Sequence, residues 1–154
     1  MLTELVLKLL NEREFISAAT CNLEGQPNAA PKFLLKCDKN YIYLVDYTIG
    51  KTWENLKINP RISLSFSDAE TLKGYKINGS VQIIAEGANY KDLLKEFRKR
   101  LTLLSVDRIV EAVRHQKKQK HFGTQITEHF VIFKVKISEI TEIRPEGDLE
   151  RETL

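Results

Sequence analysis

The residues with the most definite chemistry are Gly50-Lys51-Thr52, within Asp46-Tyr47-Thr48-Ile49-Gly50-Lys51-Thr52-Trp53-Glu54-Asn55. Glycine lets a backbone approach a ligand closely, lysine supplies a point charge and threonine a hydroxyl. Lys51 to Ile58 has helical spacing, with Asn59-Pro60 as its stop signal. The three residues therefore open a helix, where free N–H groups and the positive dipole end favour an anion. One phosphate needs about this much. The tripeptide also ends a P-loop, but that motif wants glycine five residues before Gly50, where Val45 stands. It also wants a parallel sheet alternating with helices. Taken alone, such a tripeptide more often opens an ordinary surface helix, so its flanks decide.

Other chemistry-bearing residues are less organised. The basic run from Arg114 to His121 has the character of a solvated helix face. His115 and His121 lie six apart, off the i, i+4 spacing of paired ligands on one helix, so no metal site is expected. His129 precedes the last strand. Asp68 and Glu70 form no recognisable acid–base pair, and no catalytic side chain can be named.

The elements that must position Gly50-Lys51-Thr52 follow from periodicity. Leu2, Leu5, Val6, Leu9 and Leu10 fall on one helical face. Strands are expected at Phe15 to Cys21, Pro27 to Cys37 and Tyr41 to Asp46. Asn22 to Gly25 and Asp38 to Asn40 form the turns between them. Ile62, Leu64 and Phe66 alternate with polar neighbours across Arg61 to Ser67, a half-buried strand. Tyr75 to Ala85 is a longer strand, bent at Gly79. Asn89 caps a helix carrying Leu93, Leu94, Phe97 and Leu101, and Val106, Ile109, Val110 and Val113 mark a further one. Val131, Phe133, Val135 and Ile137 alternate in a late strand that must return to the early ones. This order predicts an α+β fold, a mainly antiparallel split β-barrel with flanking helices.

Composition bounds the rest. The 154 residues suit one domain over residues 1–154, large enough to need neither metal nor disulfide staples. Hydrophobic and charged contents of 42% and 29% are those of an ordinary soluble protein. The net charge of +3 admits phosphorylated ligands and is too small to argue for nucleic acid. No apolar run approaches the roughly 20 residues that span a bilayer, and the start does not read as a signal peptide. Cys21 and Cys37 lack CxxC spacing and read as small core hydrophobes in a reducing, cytoplasmic setting.

The flanks of Gly50 also follow an order. Gly25-Gln26-Pro27, Lys32 to Lys36, Tyr41 to Leu44, Asn59 to Phe66 and Gly74 to Gly79 succeed one another. The series resembles the flavin-binding split barrels of the pyridoxamine 5′-phosphate oxidase-like family, over about Phe15 to Glu86 and in the final strand. That resemblance implies flavin mononucleotide (FMN) as cofactor. Pro31, Lys32, Phe33 and Leu34 would run along the isoalloxazine, and Val45 and Asp46 would border the ring and ribityl chain. Gly50, Lys51 and Thr52 would hold the 5′-phosphate, a hydroxyl standing where family oxidases carry a second cation. Gly74 and Tyr75 would approach from another side. It also implies an obligate homodimer, with the cofactor between subunits. Backbone amides or Lys32 near N1 would stabilise reduced flavin.

Lys36 matches a lysine that contacts the vitamin phosphate in the true oxidase. The Tyr-x-x-x-Arg-x-x-x-Ser helix pattern that completes that substrate site is missing between Asn89 and Arg108, and the only tryptophan is Trp53. Vitamin B6 oxidation is therefore not expected. Two function classes follow: an FMN-dependent oxidoreductase acting on a small molecule or redox cofactor, or a non-catalytic flavin- or haem-binding module.

Overall fold

The computed structural model describes residues 2–47, 49–114 and 129–153. Of the stretches discussed above, Thr48 and the basic run beyond Arg114, with His115 and His121, lie outside the described residues.

Six strands form a closed antiparallel barrel: β1 Phe15–Cys21, β2 Pro27–Cys37, β3 Tyr41–Asp46, β4 Arg61–Asp68, β5 Lys73–Ile84 and β6 Val131–Ile143. Their order is β3-β2-β1-β4-β5-β6, and pairing of β3 with β6 closes the ring. The turns work as their residues require. Gly25 adopts φ +80°, and Asn22 Oδ1 accepts the N–H groups of Glu24 and Gln26 at 3.0 and 2.9 Å. Asp38 Oδ1 does the same for Asn40 and Tyr41.

Alternation sorts the side chains into two cores. Ile16, Ala18, Leu34, Ile42, Leu44, Ile62, Leu64, Ile77 and Val135 fill the barrel. Helix α1, Glu4–Asn11, adds Val6 and Leu10 to that interior, and its N-cap Thr3 accepts the Val6 N–H. Helix α2, Lys51–Ile58, adds Leu56. The opposite parity of β2 and β3 supplies Phe33, Leu35 and Val45 to a second core on the outer surface. There helix α3, Gly87–Arg114, covers them with Leu93 and Phe97.

Three sequence expectations change. The late helical segments are one helix, beginning at Gly87 before Asn89. No Gly or Pro interrupts Leu101 to Val106, and Thr102 and Ser105 return their hydroxyls to the carbonyls of Arg98 and Leu101. Val106, Val110 and Val113 are consequently exposed on that helix instead of packing a separate one. The last barrel strand runs on to Ile143, and a strand β7, Leu149–Thr153, pairs with its end. β7 carries no alternation to find, because all five of its residues are exposed. Both cysteines are free and half-buried, not fully core. Among the described residues, no helix is long and apolar enough to cross a membrane.

Candidate functional site

The barrel's hydrogen-bond ladder is open along part of β2. β2 pairs with β1 from Pro27 to Phe33, but with β3 only from Phe33 onward, where Phe33 faces Val45. From Pro27 to Lys32 the far edge of β2 therefore carries no strand. A row of main-chain groups on an open edge is a ready docking line for a polar, planar ligand. β3 ends at Asp46 beside Lys32, and the chain passes from there to α2, which packs on β1 and β2.

α2 begins at the mouth of this opening. Its N-cap is Gly50, which supplies no capping side chain. A Cβ built on Gly50 would meet nothing within 4 Å, so the approach to the helix start is clear. The first-turn N–H groups and the dipole face that space. Lys51 is exposed, and its Nζ lies 3.2 Å from Glu54 Oε2, a solvent-exposed pair that holds the ammonium loosely. Thr52 is buried, and its Oγ1 accepts a hydrogen bond from Asn28 Nδ2 at 3.1 Å. Asn28 also reaches Thr20 Oγ1, which accepts from Asn55 Nδ2 at 3.2 Å. This buried amide–hydroxyl network ties α2 to the hairpin of β1 and β2. The roles of Asn28, at the outset of β2, and of Asn55, inside α2, escaped sequence reasoning, because neither position carries a periodic signal.

The remaining expected site residues divide by face. Lys32 and Asp46 share the inward parity of Leu34 and Leu44, and Lys32 Nζ bonds Asp46 Oδ1 at 2.9 Å with both side chains buried. Their charges neutralise one another inside the barrel end instead of lining the edge by side chain. Phe33 packs edge-on to Phe15 and Phe97, with ring centroids 5.6 and 5.1 Å apart. With Val45 it belongs to the core under α3, so these two side chains are part of a packed interior. Leu34 is wholly buried in the barrel, while Pro31 is exposed. Pro31, Lys32, Phe33, Leu34, Val45 and Asp46 can thus meet a ligand mainly through backbone. Lys36 bonds Glu96 of α3 at 2.6 Å.

Gly74 and Tyr75 do not converge with this opening. They lie on β5, separated from β2 by β1 and β4, roughly three strand spacings or ~14 Å. Gly74 sits against Ile143, whose Cβ is 3.4 Å from where a glycine Cβ would stand. The Tyr75 ring stacks on Phe66 inside the barrel, with centroids 5.0 Å apart. Burial and the neighbouring Glu142 carboxylate push its phenol above the usual range. His129 is exposed just before β6. Among the described residues, no group of histidine, cysteine, aspartate or glutamate could hold a metal ion.

An open strand edge leading to an uncapped helix start fits an elongated ligand with one terminal phosphate. Comparison with known proteins places the architecture. The chain is 29% identical over 103 residues to an uncharacterized protein of Methanocaldococcus jannaschii, covering 65% of this chain and 67% of that one. HupZ from Group A Streptococcus shares the fold, with a TM-score of 0.65 at 24% identity over 94% of this chain and 96% of HupZ. A Nostoc punctiforme pyridoxamine 5′-phosphate oxidase-related, FMN binding protein superposes with a TM-score of 0.57 at 12% identity, over 92% of this chain and 86% of that one. The family model for pyridoxamine 5′-phosphate oxidase matches residues 2–143, and with that span of barrel and helices the chain belongs to this family.

Proposed function

We propose that the chain binds FMN and works as a flavin-dependent oxidoreductase on a small molecule or redox cofactor. The observation that carries this reading is the meeting of the open β2 edge with the uncapped start of α2. The strand Pro31 to Leu34 would run beside the isoalloxazine, offering main-chain groups where its edge is open, up to Lys32, with Val45 and Asp46 at the border. Gly50, Lys51 and Thr52 would take the 5′-phosphate, Lys51 by charge and the helix start by its N–H groups. Bound flavin would supply the transfer of hydride or single electrons. The chain's part is binding, orientation and electrostatics.

Gly74 and Tyr75 would meet that flavin only from a second copy of the chain, so the working unit in this reading is a homodimer in the cytoplasm. Support for a covering copy comes from the outer face of β1, β2 and β4. There Phe15, Ser17, Pro31 and Ser65 are exposed, with Ser17 between Pro31 on one side and Ser65 on the other. Vitamin B6 oxidation stays outside the proposal, because α3 lacks the tyrosine–arginine–serine pattern.

Purified protein should take up FMN stoichiometrically and riboflavin far more weakly, and should sediment at about twice 17.8 kDa. Equal affinity for riboflavin would remove the phosphate site. Binding of neither flavin would remove the cofactor, and a monomer that binds FMN tightly would remove the second copy.

A further inference from the structure

A second concave region lies on the outer face of β1, β4 and β5, with a volume of about 560 Å³. We propose that it binds an anionic group of a small molecule, phosphate or carboxylate, with Arg61 as its cation. It uses none of the flavin-site residues, but requires that the second copy in the flavin reading leave this part of β1 and β4 uncovered. α2 separates the two places: Lys51 stands at its start and Arg61 just beyond its end, and eight helical residues span roughly 12 Å.

Strand register builds the groove. Ile62 and Leu64 point into the barrel, so Arg61 and Ser63 point out of it. Ser80 stands opposite Arg61, and Asn78 opposite Ser63. On the other side Ser63 faces Ala19, and Ala19 with Cys21 gives a low floor.

A β-bulge shapes the rim. The β5–β6 register shifts between Asn78 and Gly79, leaving Ser138 as an extra residue of β6. Gly79 is required for this. A Cβ there would stand 2.5 Å from the Lys136 carbonyl oxygen and 2.8 Å from Val135 Cγ1. Bulges of this kind redirect side chains beside binding sites. Ser138 Oγ then donates to the Asn78 carbonyl at 3.1 Å, holding the rim in place.

The polar groups match an oxyanion. Among the described residues, the Arg61 guanidinium makes no ion pair or hydrogen bond, unlike Arg100, Arg108, Arg144 and Arg151. The hydroxyls of Ser63 and Ser80 are likewise uncommitted to protein partners among the described residues. A planar guanidinium flanked by two hydroxyls can bind carboxylate or phosphate through several parallel hydrogen bonds. Glu139 is bonded to the lining residue Asn78. It accepts from Asn78 Nδ2 at 2.9 Å and is balanced by Lys76 and Arg151 at 3.9 and 3.7 Å. Among the described residues Arg61 is the cation of the lining itself, and Lys136, exposed and opposite Ser80 without an ion pair, adds positive charge at the edge.

The test is amide chemical-shift titration of the full chain with inorganic phosphate and, separately, with succinate. Ser63, Gly79 and Ser80 should shift saturably with at least one of these. Arg61→Gln should weaken that binding by about tenfold or more, roughly the loss of one charge-assisted contact. Arg61→Lys should lie between, having charge without the fork. Lys51→Ala should leave it unchanged. Saturation by phosphate alone or succinate alone assigns the group within the proposal. Three results would overturn it: equal binding by Arg61→Gln, shifts confined to Lys51 to Trp53, or no shift with either probe because a second copy covers the groove.

Discussion

β2 is one strand with two fates, and the contrast locates the candidate site. From Phe33 to Cys37 it pairs with β3, while the Leu34 N–H bonds the Glu14 carbonyl and Arg100 donates to the Leu35 carbonyl, and Phe33 and Leu35 lie under α3. From Pro27 to Lys32 it is paired on one edge only and carries the small residues Ala29 and Ala30. The first half buys stability. The second leaves main-chain groups available beside a helix start. A ligand site need not be made of conspicuous side chains when the fold can leave a backbone edge unfilled.

The strongest way to sharpen that contrast is to damage the closed half. Phe97→Ala removes the ring that packs on Phe33 and Phe130. Truncating a buried phenylalanine costs about 3–5 kcal/mol of stability, readable by urea denaturation. FMN affinity of the fraction that stays folded should hardly move, because the open edge and the start of α2 do not touch Phe97. A loss of flavin binding larger than the loss of folded protein would show that the two halves are coupled, and would break the division.

That division also explains what could be seen without coordinates. β1, β2, β3 and α2 were legible to the residue because turn chemistry at Asn22–Gly25 and Asp38–Asn40 brackets them. The bend at Gly79 was legible because only glycine tolerates the closeness of β6 there. The faces of Lys32 and Asp46 were not. A lysine on a strand reads as a solvent-facing group, and only tertiary pairing brings it inward against a carboxylate fourteen residues away. The separation of Gly74 and Tyr75 from β2 was equally hidden, since strand order across a barrel is not written in local periodicity.

The open half is tested by Lys51→Ala. A charge-assisted hydrogen bond to phosphate contributes roughly 1.5–3 kcal/mol. The exposed pairing of Lys51 with Glu54 must be given up first, and such pairs are weak. FMN affinity should therefore fall by about tenfold, toward the lower end of that range. Riboflavin affinity and urea stability should stay as they were. Equal losses for both flavins would place Lys51 in the fold or against the ring, and no loss would detach the phosphate from α2.

The smallest effect concerns Cys37, at the closed end of β2. Its thiol packs against the barrel core, and Sγ donates to Asn11 Oδ1 at 3.4 Å. Burial pushes its pKa up from 9.0 to about 11, with the Arg100 charge opposing and the Asp38 carboxylate assisting. Thiolate is the nucleophile, so native Cys37 should resist iodoacetamide at pH 9, where the urea-unfolded chain reacts readily. The linkage has a definite sign. Between pH 9 and 11 the folded state keeps a proton that the unfolded state has lost, so stability conferred below pH 9 drains away as pH rises through that window. Measured in a Cys21→Ser background, alkylation of the native protein should accelerate only as pH nears 11. Cys37→Ala should abolish this thiol's share of the alkaline loss. Native Cys37 that alkylates at pH 9 as fast as the unfolded chain would mean that this end of β2 opens to solvent, and the line drawn at Phe33 would then mark no difference in protection.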